Sequence, residues 1–169
     1  MNAAAYVSRD HQVILCGLEV LRLMGERVAS RQDVDGEDIH LVLAFMRDVA
    51  HRCLDNAEEL FRGARDNSRL KTVLTNHLTN HGRARHLFAK LTHAANPVMA
   101  EEFVPVCGLY TNLLADLIFE ERRALSDLAF DPPALTQFHE TEHEIRAAAR
   151  RHGQILHRLE TKYTSPHCI

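Results

Sequence analysis

The sequence predicts an all-α protein: an up-down-up-down four-helix bundle with an additional C-terminal helix. Three observations carry that prediction. No alternating β-branched run bounded by turns occurs in the 169 residues, so the usual mark of a half-buried strand is missing. Apolar residues recur instead at helical spacing through long segments, separated by short turn-rich stretches. Only seven Gly and five Pro are present, and no Trp.

The first predicted helix covers about 8–29, where Ile14, Leu15, Leu18, Leu21 and Val28 form an apolar stripe that His11 extends by one turn. "SRQDVDGED" follows as a turn rich in capping residues, with Asp35 a candidate N-cap. A second helix over about 36–65 has the inner line Ile39, Leu43, Met46, Ala50, Leu54 and Glu58, ending near Phe61. One carboxylate thus interrupts an apolar seam. The third helix, about 69–94, turns Leu70, Val73, Leu74, His77, His81, Phe88 and Leu91 inward. The fourth segment begins near Pro97, and Pro105 is expected to break or kink its first turns. Its main helix over 105–129 then faces Leu109, Leu113, Leu117, Glu121 and Leu125 inward. "DPP" at 131–133 separates a fifth helix over 134–162, with Leu135, Phe138, Ile145, Ala149, Ile155 and Leu159 on one face. Residues 1–130 therefore form the bundle. Residues 131–169 add a flanking helix and tail of the same domain, able to cap the bundle or mediate a homodimer.

The totals bound the function. A chain of this length buries a core without disulfides. With 20 Lys and Arg against 23 Asp and Glu, there is no electrostatic case for nucleic acid or an anionic membrane surface. Cys16, Cys53, Cys107 and Cys168 lack C-x-x-C spacing and read as reduced thiols. The N-terminal residues have no basic segment followed by an apolar run, and no unbroken apolar stretch approaches a membrane span. A cytoplasmic protein is expected.

In the predicted topology the start of helix one, the end of helix two, the start of helix three and the end of helix four share one end. Rising about 1.5 Å per residue, His11, Glu58, His77, His81 and Glu121 fall within roughly 10 Å of one depth. Buried imidazoles and carboxylates without partners are costly. A metal suited to nitrogen and carboxylate donors, Fe, Mn or Zn, would resolve the cost. The other resolution is a hydrogen-bonded polar cluster holding protons or water. His77 and His81 stand four apart, so both can reach one ion.

Over about residues 9–130 these segments resemble the hemerythrin-like, or HHE cation-binding, family. "RDHQVILCGLEVL" is similar to the family's opening helix, with His11 at the ligand position. "LAFMRDVAHRCLDNAEELF" is similar to the H-x-x-x-E helix, with Glu58 at the carboxylate and Leu54 where the histidine stands. A register anchored on "LF" instead places Cys53 and Ala57 at those positions. "NHGRARHLFAKL" resembles the third helix, with His81 the ligand and His77 giving H-x-x-x-H. "YTNLLADLIFEERRALSDLA" resembles the fourth, with Glu121 at a carboxylate, Leu117 replacing a histidine and Arg122 replacing the second acid. The resemblance implies a four-helix bundle with a non-haem iron site of one or two ions. His11, His77 and His81 would be terminal ligands, and Glu58 and Glu121 bridging or coordinating ones. It further implies that a diatomic or peroxide ligand is bound or sensed.

The remaining constellations point to simpler roles. "HETEH" at 139–143 has the H-E-x-x-H form of zinc proteases, yet its histidines align with Arg146 and Arg150 on a solvated stripe. His40, His51, His86, His93, His152 and His157 are expected to be exposed or at helix ends. Cys16 and Cys53 read as small core hydrophobes, with a thiolate ligand from Cys53 as the alternative. No phosphate loop or nucleophile triad appears, so binding is expected rather than catalysis. The alternative function is a metal-free bundle acting as a regulatory or protein-binding module, in which Arg122 neutralises Glu121.

Overall fold

Every predicted helix is present in the computed structural model. It describes the backbone of 3–63, 68–126 and 132–164, and the side chains of 11–62, 71–124, 138 and 140–164. Leu70, Leu125, Leu135, His139, Cys168 and the tail after 164 lie outside the described side chains. The elements are α1 (Ala3–Ala29), α2 (Gly36–Phe45), a π-turn (Met46–His51), α3 (Arg52–Gly63), α4 (Ser68–Ala94), α5 (Ala100–Ser126) and α6 (Pro132–Thr164). Among the described residues no strand forms.

Local chemistry sets the helix ends. Asp35 caps α2 as expected, its carboxylate accepting from the Glu37 amide at 2.9 Å. After α1, Arg31 takes a left-handed conformation with φ 57°. There the Gln32 amide donates to Arg27 O and the Arg31 amide to Val28 O, the paired bonds that close a helix C-terminus.

Pro105 neither breaks nor delays the fourth helix, as α5 begins at Ala100 and continues through it. So close to the N-terminus, Pro removes a single i→i−4 bond, the one to Glu101. The second predicted helix is one rod, but not one α-helix. Its π-turn admits an extra residue per turn, and Val49, Ala50 and His51 are buried in succession.

The core joins all the helices. α1 packs on α5, α5 on α4, α4 on α3, α3 on α6, and α6 on α1. The C-terminal helix is thus a wall of the bundle. Its Ile145, Leu156 and Leu159 are at most 2% exposed within the main core, each worth about 1.5–3 kcal/mol of burial. Its last turn is tied down by Asp38, which accepts from Tyr163 Oη at 2.8 Å and from Lys162 Nζ. At Gly17, α1 comes so close to the Phe45 ring that a methyl group there would stand 2.8 Å from Cδ1.

One inward assignment is overturned. Leu109 is 59% exposed, while Phe103, Cys107, Tyr110, Leu114, Leu117, Ile118 and Glu121 are buried. Stepping by four residues rotates about 40° per step around a helix of 3.6 residues per turn. Three steps back from Glu121, Leu109 has rotated off the core face.

Candidate metal centre

The five polar residues predicted to converge do so, from four helical rods. His11 lies on α1, Glu58 on α3, His77 and His81 on α4, and Glu121 on α5. Each sits where apolar spacing turns its face inward. His11, His81 and Glu121 are 1% exposed, and His77 is 3% exposed. Glu58 is only partly buried, at the rim.

The contacts form one chain. His11 Nε2 and Glu121 Oε2 are hydrogen-bonded at 3.1 Å, and His77 Nε2 faces Glu121 Oε1 at 3.5 Å. The His77 and His81 rings are 5.8 Å apart. His81 Nδ1 lies 3.4 Å from Glu58 Oε2, and its Nε2 lies 3.8 Å from Asp55 Oδ1. At the rim, Arg62 pairs with Glu58 and Arg85 with Asp55.

Sequence reading missed two neighbours, His51 and Asp55, and held a third, Cys53, as an alternative. His51 was expected to be exposed or at a helix end, yet it is 8% exposed. Its ring lies 5.8 Å from that of His81 at an interplanar angle of 17°. Its Nε2 is 3.1 Å from the hydroxyl of fully buried Tyr110. The π-turn places it there, and a 3.6-residue repeat carries no sign of that turn. Asp55 joins His81 and Glu58, a contact signalled only by its i,i+3 spacing to Glu58. Cys53, with one ligand atom each from His11 and Glu121, forms a group whose atoms all lie within 4.8 Å of one another. This is the neighbourhood that the alternative register assigns to Cys53, while Glu58 keeps its own place beside His81. Leu54 and Leu117 are 1% and 0% exposed, one turn before Glu58 and Glu121, and supply only apolar surface.

Electrostatics disfavour protonating His51 and His81. Burial pushes His81 down to about 4, helped by the Arg85 charge. Burial likewise holds His51 at about 4, with His81 beside it. Burial also raises the Tyr110 hydroxyl well above its usual range. Arg122, which pairs with Glu121 in the metal-free alternative, is exposed.

Among the described residues, His11 Nδ1, His51 Nδ1, His77 Nε2, His81 Nε2 and Glu121 Oε1 are buried without a hydrogen-bond partner. Such groups are rare and costly. Two donors about 2.1 Å from a shared ion stand about 3.0 Å apart at a right angle, and about 3.4 Å apart at the tetrahedral angle. The 3.5 Å separation of His77 Nε2 and Glu121 Oε1 is close to that bite. The donor set therefore fits a divalent metal.

The chain matches no protein-family model, no curated protein and no solved structure.

Proposed function

We propose that this helical bundle holds a non-haem metal centre in its polar core, with iron the favoured ion and Mn or Zn suited to the same donors. The observation that carries this reading is His77 Nε2 facing Glu121 Oε1 at 3.5 Å, both buried and otherwise unpartnered. A cation between the two atoms satisfies both at once. His11, His77 and His81 would be imidazole ligands, and Glu121 and Glu58 carboxylate ligands, as the hemerythrin-like resemblance implies.

The up-down-up-down arrangement is supported by the order of contacts. His11 meets Glu121 while Leu21 meets Cys107. His77 meets Glu121 while Phe88 meets Tyr110. Glu58 meets His81 while Asp55 meets Arg85. In each pair one index rises as the other falls.

When bound, iron supplies reversible redox change and affinity for dioxygen, nitric oxide or peroxide. The chain's own residues would do the rest. Leu54 and Leu117 add no ligands and keep the surroundings of the donors apolar. Tyr110 orients His51 through the Nε2 hydrogen bond. We place the protein in the cytoplasm as a binding or sensing protein.

Metal content per chain by mass spectrometry of untagged protein tests this reading. Near-stoichiometric metal is expected, lost in His77→Ala and His81→Ala with far-UV helicity retained. Absence of metal after anaerobic Fe²⁺ loading would refute it. That result would favour the metal-free regulatory bundle, for which the His11–Glu121 hydrogen bond at 3.1 Å speaks directly.

A further inference from the structure

The donors around the core divide into two sets. One comprises His11, Cys53 and Glu121 from α1, α3 and α5; the other comprises Asp55, Glu58 and His81 from α3 and α4. Within each set, one ligand atom per residue lies within 4.8 Å of the others. Their chemistry differs. Asp55 and Glu58 are each already held by an arginine at the rim. Glu121 lies in the interior at 1% exposure, and its Oε1 has no hydrogen bond.

Resting on the metal reading above, we propose that Cys53 is a thiolate ligand in a His11–Cys53–Glu121 metal site, distinct from the Asp55–Glu58–His81 set. One observation besides the cysteine points to an ion there. Glu121 is at least nine-tenths buried, and its Oε1 is without a hydrogen-bond partner. His77 Nε2, also unpartnered, faces the same carboxylate.

A neutral thiol does little for a buried carboxylate. A divalent cation changes this, because it deprotonates the thiol it binds. The step balances without an oxidant: Cys53–SH loses its proton to solvent as the sulfur–metal bond forms. The resulting N, S and O donors make this site softer than its neighbour, which offers only imidazole and carboxylate. The two sites would therefore differ in metal preference.

Cobalt is the probe, since a thiolate–Co²⁺ bond adds a near-ultraviolet charge-transfer band to the visible ligand-field bands. Untagged, chelator-treated protein would be titrated with Co²⁺ under reducing, anaerobic conditions, with bound cobalt counted by mass spectrometry. The band is expected in the wild type and in Cys16→Ser. It should disappear in Cys53→Ser, with helicity unchanged and cobalt still bound at the second set. Cobalt binding without the band, or a band that survives Cys53→Ser, overturns the thiolate assignment and leaves the metal reading standing. No cobalt binding in the wild type overturns both.

Alkylation of the wild type, read at the Cys53 peptide, is independent of how the variant folds. Co²⁺ should slow it by about tenfold or more, since a metal-held thiolate is no longer a free nucleophile. Equal labelling with and without Co²⁺ would overturn the assignment.

Discussion

Lowering the pH of metal-free protein from about 7 to 5 should remove about 4 kcal/mol of stability through two histidines, His51 and His81. Burial holds both imidazoles at about 4 in the fold, whereas the unfolded chain titrates near 6.5. Between those values the unfolded state binds more protons, so stability is full above about 6.5 and falls as pH drops toward 4. Integrating one such shift over this interval gives about 2 kcal/mol per histidine.

Urea unfolding followed by far-UV circular dichroism, in chelator, measures the change. His51→Gln isolates one contribution, because the amide can still meet Tyr110 but does not titrate. That variant should lose only about half as much between the two pH values. Equal losses in wild type and His51→Gln would refute the claim that burial keeps His51 neutral.

Two further substitutions probe the packing. Gly17→Ala should destabilise by about 1–3 kcal/mol despite alanine's better helix propensity, since the added methyl would overlap the Phe45 ring and stand 2.9 Å from Met46 Cε; a raised melting temperature would show that α1 and α2 separate freely. Tyr110→Phe should cost about 1–3 kcal/mol by leaving buried His51 Nε2 unpaired, with the loss measured at neutral pH by urea unfolding; a neutral outcome would mean that the hydrogen bond contributes nothing net.

Much of the donor set was legible because both signals behind it are local. Helical spacing assigns His11, His77, His81 and Glu121 to inner faces, and residue counts along each helix assign their depth. Both inferences survive moderate errors in helix ends. Leu54 and Leu117 were legible in the same way, and both are buried. Assignments that depended on a cumulative angle fared worse. Leu109 was carried outward by repeated steps of four, and His51 was carried inward by one π-turn. Arg122 lies beside Glu121 in sequence, but adjacent helix residues point about 100° apart, so one is exposed while the other is in the core.

By itself, the sequence determined the all-helical class, the helices and their approximate limits, and the polar residues that would meet at one depth. Periodicity and capping are properties of neighbouring residues, so a linear reading captures them. Tertiary structure alone decided that α6 forms a wall between α1 and α3. It alone brought His51 and Asp55 beside His81, and decided that Cys53 lies near His11 and Glu121 while Glu58 stays beside His81. Those outcomes depend on how each helix is rotated about its axis and which neighbour fills the space beside it. Close packing across the whole chain sets both.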